Sequence, residues 1–530
     1  MKRSWNSLLS AGALLCLVQE ARAGINVNNG NFYVAYTDLY VPTKGINLEF
    51  TRTYNSRSNF VRGYFGVGWA SDIEGYLKFD KDRASFFEGG GGNVSQFSPT
   101  AKGQWESQSF GPQKLKKTPA GYYLTGVTGK EYAFDDTGRL LKILDKNNNY
   151  LELVWDKNRP SMVRDNLNNQ VRLKWGEFGK ISRIVALEFG DQKARFEYNP
   201  KGDLVKASGA DAIPYEYDYD DEHNLVKISY KDGTYKEMAY IKARDWVTKF
   251  RDVDGTTAQY EYIADPIDSE NKFGTTLTRT VSGAGEKEIS KFWYEFKRRA
   301  DGTRYNQKAV SLIGNTITET LFTECCGTPQ VISQWNATSE AKKAADQSWI
   351  AAAPNKKTTA FEYYTDGLLK KKTSADGVVT QLAYDKVHKK VSKVVKNGRS
   401  VEYNYDNRGN LAWAFDSAER RRLDLTYDVN GRLTVVHEKK IVGNKEQKLD
   451  VFFRYNAKGQ PNEVKERSAF GEGVIKINYD ERGEVLAVLD GRGRSLSSEK
   501  DVLTAQRVAG TFQNLLEIVQ PAGVSLTPEG

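Results

Sequence analysis

The sequence contains few of the side chains that carry most enzyme chemistry. Its 530 residues include three cysteines and three histidines, and His223, His388 and His437 lie far apart along the chain. It has no Gly-x-Ser-x-Gly elbow, phosphate-binding loop or His-Glu-x-x-His motif. These absences argue against serine hydrolases, nucleotide-binding enzymes and zinc proteases. We therefore predict a protein with no catalytic residue, no cofactor and no metal site.

Long apolar stretches are scarce as well. The N-terminal stretch from Leu8 to Val18 is too short to span a bilayer, and no later segment approaches that length. It follows Lys2 and Arg3 and precedes Ala21-Arg22-Ala23, which is the order of a secretory signal peptide. We predict that residues 1–23 are removed and that the protein is exported to the periplasm, the cell surface or the extracellular medium.

The few cysteines leave two open questions. Cys16 could belong to a lipoprotein signal, but Leu15 is bulky where such a signal has a small residue. After cleavage only Cys325 and Cys326 would remain, and they are adjacent. In an oxidising compartment they are a candidate disulfide. Reduced thiols, an intermolecular bridge or half of a metal site are the alternatives, although no ligand nearby in sequence completes a zinc site.

A short phrase recurs along most of the chain. In Tyr403–Leu411, Asp406 and Gly409 occupy positions typical of a type I turn that ends in a left-handed residue and a bulge. The phrase therefore predicts a β-hairpin in which Asp406 faces Asn410, Tyr405 faces Leu411 and Tyr403 faces Trp413. The same turn positions recur at Asp135 and Gly138, at Asp428 and Gly431, and at Asp480 and Gly483.

Two copies of the phrase have histidine where the glycine is expected. These are His223, after Tyr219-Asp220, and His388, after Tyr384-Asp385. Histidine is among the residues that tolerate positive φ, so we predict a turn role for both. Between the hairpins lie further Asp-Gly turns without helical periodicity. Isolated hairpins are marginal and long antiparallel arrays curl, which predicts an all-β chain folded as one spiralling or closed sheet.

The aromatic-Asp-x-x-Gly-Arg-Leu phrases at Phe134 and Tyr427 resemble the tyrosine-aspartate (YD) repeats of the rearrangement-hotspot (RHS) family. The segments Asn29–Phe32, Arg52–Ser56 and Gly66–Trp69 are similar to the small domain that opens bacterial RHS proteins. The resemblance implies a hollow β-shell that can enclose a polypeptide. In toxin members a variable toxic domain follows the shell, whereas here only a short segment follows residue 495, so we expect no separate toxic domain.

The resemblance and the repeats together predict the domain organisation. A small N-terminal β domain covers residues 24–125, and the YD-repeat shell covers residues 126–495. An Ala- and Lys-rich insertion at 336–357 interrupts the repeats, either as a surface insertion or as a cover at the opening of the shell. Residues 496–530 contain an apolar stripe at helical spacing, formed by Val508, Phe512, Leu515, Leu516 and Val519, which predicts a short helical cap.

Charge gives little guidance on partners. The formal net charge is +9, but the basic residues of the chain are dispersed, and the runs of basic residues at 114–117, 370–372 and 420–422 are short. We read them as solvated strand faces and predict no nucleic-acid partner.

The main functional prediction is a noncatalytic shell that binds cell-envelope or cell-surface ligands such as glycans. One alternative is a shell around a separately encoded toxin or other cargo polypeptide, and a third is a hydrolase of envelope polysaccharide.

Overall fold

The structure is a computed structural model. It describes residues 23–58, 63–80, 83–90, 94–100, 104–107, 113–126, 130–242, 244–283, 285, 287–299, 302, 304–324, 327–344, 347–350, 356–480, 483 and 485–495. Three predicted features lie outside these residues: the signal peptide through residue 22, the Cys325 and Cys326 pair, and the C-terminal helix.

A small antiparallel sheet opens the described chain. Its four strands follow one another in space as in sequence: β1 (Ala23–Ile25), β2 (Phe32–Val41), β3 (Leu48–Asn55) and β4 (Trp69–Ser71). Alternation along β2 buries Phe32, Val34 and Tyr36 on one face. A short 3-10 helix, Asp72–Glu74, connects this sheet to the rest of the protein.

The remaining 36 strands form one antiparallel sheet in which each strand pairs with the next. The first twelve are β5 (Tyr76–Asp80), β6 (Arg83–Phe87), β7 (Val94–Pro99), β8 (Gln104–Ser107), β9 (Lys114–Thr118), β10 (Gly121–Thr125), β11 (Glu131–Phe134), β12 (Leu140–Leu144), β13 (Tyr150–Asp156), β14 (Arg159–Asp165), β15 (Gln170–Phe178) and β16 (Ile181–Phe189). The next twelve are β17 (Gln192–Tyr198), β18 (Leu204–Ser208), β19 (Pro214–Tyr219), β20 (Leu225–Tyr230), β21 (Tyr235–Ile241), β22 (Trp246–Arg251), β23 (Thr257–Ala264), β24 (Lys272–Thr280), β25 (Lys287–Arg298), β26 (Arg304–Ile313), β27 (Thr316–Phe322) and β28 (Pro329–Asn336). The last twelve are β29 (Lys357–Tyr363), β30 (Leu369–Thr373), β31 (Val379–Tyr384), β32 (Val391–Lys396), β33 (Arg399–Tyr405), β34 (Leu411–Asp416), β35 (Arg421–Tyr427), β36 (Leu433–Val442), β37 (Lys445–Tyr455), β38 (Pro461–Ser468), β39 (Gly471–Tyr479) and β40 (Val485–Asp490).

This architecture confirms the predicted all-β fold built of antiparallel hairpins. The sheet starts earlier than the predicted shell domain, because residues 76–125 already belong to it. The boundary expected between residues 125 and 126 falls where β10 pairs with β11. The predicted N-terminal domain therefore divides into the small sheet and the first six strands of the large sheet.

The repeated turn has the predicted local geometry. At Asp406 one carboxylate oxygen accepts the backbone N–H groups of Arg408 (2.9 Å) and Asn410 (2.8 Å). Gly409 has φ 75°, a conformation that disfavours residues with a Cβ. The glycines at 138, 431 and 483 also have positive φ, at 89°, 81° and 89°. The turn is therefore encoded by two residues, an acceptor at its start and a left-handed residue near its end.

Two details of the predicted turns are wrong. Tyr405 pairs with Leu411 as predicted, but Tyr403 pairs with Ala414 and not with Trp413. The register shifts between Asn404 and Tyr405, because the bulge that closes the turn inserts one extra residue into β34.

The second error concerns one of the two histidines. His223 has φ 66° and takes the glycine position as predicted, whereas in the other turn the positive φ belongs to Lys389, at 56°. That turn is one residue longer, since the backbone N–H of Asp385 bonds to the carbonyl of Lys390. His388 instead directs Nε2 to the carbonyl oxygen of Asp406 in the next repeat, at 3.0 Å.

The repeat tyrosines join neighbouring hairpins. The hydroxyl of Tyr405 donates to the carbonyl of Val391 (2.6 Å), the first residue of β32, and Tyr427 does the same to Leu411 (3.0 Å). Equivalent bonds are made by the tyrosines at 198, 240, 262, 384, 455 and 479. This ladder explains why the phrase keeps tyrosine and not merely an apolar residue.

We expect Tyr405→Phe to lower the free energy of unfolding by about 1 kcal/mol, because it leaves the Val391 carbonyl without this donor. Urea titration followed by circular dichroism measures the change. Tyr33→Phe is the control, since Tyr33 is 40% exposed and lies outside the ladder. Equal effects of the two substitutions would contradict the role assigned to the ladder.

The sheet curls far enough for early and late strands to meet. The turn between β12 and β13 reaches the repeat turns that follow β33 and β35. Lys146 Nζ donates to the carbonyl of Gly409 (3.0 Å), and Asn149 Nδ2 to that of Asn430 (3.0 Å). Asn410 Nδ2 also donates to Asn147 Oδ1 (3.1 Å), across 263 residues of sequence. We call this contact the seam; it places an early part and a late part of the long sheet side by side.

Candidate functional site: the inner face of the large sheet

We define the inner face of the large sheet as the face against which the small sheet packs. Arg52, on β3, donates from Nη2 to the hydroxyl of Tyr217 on β19, at 2.9 Å. Tyr217 lies two residues before the repeat tyrosine Tyr219, and Tyr403 holds the same position before Tyr405. Because these hairpins belong to one continuous sheet with the same bulge, Tyr217 and Tyr403 lie on the same face.

The inner face of the late strands is apolar. Its buried residues form one cluster across β32–β38, composed of Val394, Val401, Tyr403, Ala414, Leu423, Val436, Val451, Phe453 and Val464. Cross-strand pairs such as Val394 with Val401 and Val436 with Val451 confirm that these side chains share a face.

The outer face of the same strands is charged. Lys393 and Glu402 pair across β32 and β33 at 2.8 Å, with 45% and 41% of their side chains exposed. Similar pairs join Lys371 with Glu362, Arg422 with Asp424, His437 with Asp450, and Arg454 with Glu463. Solvated ion pairs on one side and branched apolar residues on the other give the sheet a clear polarity: the outer face meets water and the inner face is screened from it.

A charged strip on the inner face was not predicted from the sequence. Asp416 is fully buried and pairs with Arg399, and Arg421 (6% exposed) pairs with Glu438 at 2.5 Å. Arg399 lies two residues before Val401 in β33, so the strip runs along the inner face beside the apolar cluster. The signal that could have found it is charge at positions where the two-residue alternation requires an apolar side chain.

The insertion covers the opposite face. Phe292 is on the inner face, because it pairs through Thr275 with the repeat tyrosine Tyr262. Trp293, the next residue, therefore lies on the outer face, where it clusters with Trp349 of the insertion. The insertion folds as helix α1 (Ser339–Lys343) and a 3-10 helix (Gln347–Ile350). This segment shields a local apolar patch on the outer face.

One lysine fixes the insertion in place. Lys291 Nζ, only 8% of whose residue is exposed, donates to the carbonyls of Ala341 (3.2 Å), Lys342 (2.9 Å) and Ala344 (2.6 Å). These carbonyls end α1, where a cation is favoured by the unpaired acceptors and the helix dipole. The insertion is thus attached to the outer face of the sheet at β25.

The small sheet docks on the inner face through a buried guanidinium. Arg52 is fully buried and donates from Nε to Asp38 Oδ2 at 2.7 Å. Four aromatic rings surround it, with centroids between 4.6 and 5.6 Å from its Cζ: Trp69, Tyr36, Tyr217 and Phe196. Two of these rings belong to the small sheet and two to the large one, so a single cation links both sheets.

A second buried charge lies where the small sheet joins the large one. Glu74 accepts the backbone N–H groups of Tyr64 and Ser71, and burial raises its pKa to about 7. Since this pKa is above that of an unfolded glutamate, the protonated form is favoured by folding. The stability that Glu74 contributes is fully present below about pH 4.3 and is lost as the pH rises to about 7.

We therefore expect the free energy of unfolding to fall between pH 5 and pH 8 by about 2–3 kcal/mol more in the wild type than in Glu74→Gln. Glutamine keeps an acceptor for only one of the two backbone N–H groups, which lowers stability at both pH values, but it cannot ionise and so removes the pH dependence. Urea titrations of the two proteins at both pH values measure this difference. Identical pH dependence in the two proteins would show that Glu74 does not titrate in this range.

Two of the repeat aspartates, Asp406 and Asp135, are poorly suited to proton transfer. Although burial acts to raise the pKa of Asp406, hydrogen bonds from Asn410 and Arg408 hold it below the ordinary value. The pKa of Asp135 is lowered in the same way, against burial, by bonds from Thr137 and Arg139. Such carboxylates stay ionised at neutral pH and cap their own turns.

The histidines are not brought together into one site. His223 Nδ1 lies 2.6 Å from Asp203 Oδ1 of the preceding repeat turn, and His437 Nδ1 lies 2.7 Å from Asp450 on the outer face. Among the described residues, no group of three or more His, Cys, Asp or Glu side chains could hold a metal ion. In the same part of the chain, no helix has the length and apolar character needed to cross a membrane.

Comparisons with known proteins give a local match and distant structural similarities. Residues 23–97 match the model of DUF6531, a domain of unknown function, and no curated protein matches the chain. The structure is similar to TcdB2-TccC3 without its hypervariable C-terminal region, with 10% identity and a TM-score of 0.46 over 90% of this chain and 28% of that chain. It is also similar to the Tc holotoxin pore of Photorhabdus luminescens, with 11% identity and a TM-score of 0.37 over 87% of this chain and 27% of that chain. This chain spans less than a third of the length of either.

Proposed function

We propose that this chain is an RHS-type container whose inner face encloses a polypeptide. The observation that carries the proposal is the seam, where Asn410 meets Asn147 across 263 residues of a single-layered sheet. A sheet whose late part returns to an early part surrounds the space on its inner side. The buried apolar cluster of β32–β38 forms this side of the sheet, and the only partly buried Leu425, Leu433 and Leu449 beside it offer the surface that a protein segment would contact.

The small sheet occupies only part of the inner face. Apart from its loop 42–45, which meets turns of the late strands, the small sheet contacts early and middle strands. The Tyr54 hydroxyl accepts the N–H of Leu225, the carbonyl of Gly30 accepts that of Val247, and Thr275 Oγ1 donates to the carbonyl of Val27. Its core and the apolar cluster of β32–β38 are separate. The late strands therefore supply the lining against which an enclosed chain would pack.

The outer face favours the container over a glycan-binding surface. Two outer-face aromatic rings of the late strands are not open to a stacking sugar. The guanidinium of Arg422 lies 4.7 Å from the centre of the Trp413 ring and is bonded to Asp424. Arg467 likewise lies 5.7 Å from the centre of the Phe452 ring and pairs with Glu472. A glycan would have to displace these stacked and ion-paired guanidinium groups.

A hydrolase is less well supported still. It would require a carboxylic acid that is protonated near neutral pH beside a carboxylate, whereas turn hydrogen bonds hold the pKa of Asp135 and of Asp406 below the ordinary value. Glu74, whose pKa is raised, caps a short helix between the two sheets and is 6% exposed. We therefore propose a noncatalytic role. Export through the predicted signal peptide remains part of the proposal.

Site-specific photo-crosslinking tests the container directly. Leu425 and Asp424 are neighbours in β35, both partly buried; Leu425 packs on the inner cluster and Asp424 pairs with outer-face Arg422. A benzophenone amino acid is placed at one position or the other in the protein produced in its native host. We expect a covalent polypeptide adduct of defined mass from position 425 and none from position 424.

Either of two results would refute enclosure. Absence of an adduct at both positions, with the protein folded, would leave the inner face without a partner. An adduct at position 424 alone would place the partner on the outer face, where the surface-binding alternative puts it.

A further inference from the structure

The seam consists almost entirely of main-chain and polar contacts. The seam extends beyond the turn Asp145–Asn149 and includes the neighbouring loop 42–45 of the small sheet. Both meet the repeat turns of β33–β40. Besides the three hydrogen bonds already described, Gly459 lies directly against the backbone of Thr43 and Lys44. Contacts of this kind contribute little net stability, because water replaces them when they separate.

The two sides of the seam have separate cores. The apolar cluster that joins the small sheet to the early strands runs from Phe32 to Val247, and the cluster of the late strands runs from Val394 to Val464. Neither contains a residue of the other. Separation along the seam would therefore expose no continuous apolar core, and each side would keep its own packing.

Like charges meet at the centre of the seam. Lys146 and Lys390 both donate to the carbonyl oxygen of Gly409, at 3.0 and 2.5 Å, so their ammonium groups are close neighbours. Partial burial and the Lys390 charge lower the pKa of Lys146 to about 8. The carboxylates of Asp145 and Asp406 also face Lys146, but both accept hydrogen bonds within their own turns.

We propose that the shell opens along this seam: the late strands swing away from the turn Asp145–Asn149 while both sides stay folded. The continuous sheet between them acts as the flexible connection, since a single layer can change its twist without breaking its strand pairs. Opening of this kind gives access to the inner face, and it is independent of whether that face holds a polypeptide.

Cysteine labelling measures this opening. Asn149 is 2% exposed, with Asn430 across the seam and Gly45 of the loop 42–45 beside it, so Asn149→Cys reacts with a maleimide only after the seam separates and the contact with Gly45 loosens. Asn169 has the same bonds to its own turn aspartate, Asp165, but no described bond across the seam, which makes Asn169→Cys the matched open control. Val394→Cys, in the late core, reports global unfolding. Cys325 and Cys326 are replaced by serine in every variant.

We expect Asn149→Cys to react about tenfold or more faster than Val394→Cys and more slowly than Asn169→Cys. A rate equal to that of Val394→Cys would mean that only global unfolding exposes the seam. A rate equal to that of Asn169→Cys would mean that the seam is not closed in solution. Either result overturns the proposal.

A second variant tests whether repulsion between Lys146 and Lys390 promotes opening of the seam, and it leaves residue 149 unchanged. Lys146→Gln removes one ammonium group but keeps a donor for the Gly409 carbonyl. In the Asn149→Cys background it is expected to slow labelling about threefold, because the repulsion from Lys390 is lost. Lys142→Gln, on the adjacent strand and paired with Glu152, should leave the rate unchanged. Faster labelling after Lys146→Gln would show that this lysine holds the seam closed.

Discussion

Replacing Arg52 with alanine is expected to lower the free energy of unfolding by about 3–5 kcal/mol, because it leaves the buried carboxylate of Asp38 without its partner. The change also removes a cation enclosed by four aromatic rings and the bond to Tyr217. The small sheet should then lose its attachment to the inner face. Urea titration followed by tryptophan fluorescence measures the loss, since Trp69 is one of the rings around the guanidinium.

Lys393→Ala is the matched control for this experiment. It also removes one cation from an ion pair, but Lys393 and Glu402 are each more than two-fifths exposed, and such pairs contribute below about 1 kcal/mol. The double variant Arg52→Met with Asp38→Leu should recover part of the stability lost in Arg52→Ala, since no unpaired charge stays buried. Equal effects of Arg52→Ala and Lys393→Ala would contradict the linking role of Arg52.

Gly138→Ala is expected to destabilise the protein by about 1–3 kcal/mol more than Gly233→Ala. Both glycines are at turns with nearly equal φ, 89° and 86°, so both substitutions carry the same cost of a left-handed alanine. At Gly138 a Cβ would also overlap the carbonyl of Leu77, whereas at Gly233 no atom lies within 4 Å of it. The difference isolates the close approach of β5 to the first repeat turn.

The same urea titrations give this difference. The N–H of Leu77 bonds to the carbonyl of Gly138 at 2.8 Å, which fixes the first strand of the large sheet against the turn between β11 and β12. A Cβ at residue 138 must push these segments apart. If the two alanine variants were equally stable, the first strand would not be held against this turn.

The residues that define each turn could be predicted because they act locally. An aspartate that accepts hydrogen bonds two and four residues later, and a glycine at positive φ, specify the hairpin without help from the rest of the chain. The pairing of Tyr403 could not be predicted as securely, because the bulge inserts a residue whose position is visible only in the strand pairing. The His388 error has a similar origin, since the turn after Asp385 holds one additional residue.

The contacts that place the small sheet and the seam could not be predicted in this way. Arg52 meets Tyr217 across 165 residues, and Asn410 meets Asn147 across 263. Nothing near either residue in sequence indicates its partner, because the contacts depend on the accumulated twist of the sheet. The difference between the two faces of the large sheet was predictable in part. The two-residue alternation predicts that one face is apolar and the other charged, but only the contacts of the small sheet show which face is the inner one.

Native mass spectrometry of the protein isolated from its own host tests the central claim most directly. We expect a mass above that of the chain by one stoichiometric polypeptide, which survives protease treatment of the native complex and separates only on denaturation. The polypeptide should also be the one captured by the crosslinker at position 425. A mass equal to that of the chain alone, or a bound polypeptide that protease removes from the native complex, would contradict enclosure by the inner face.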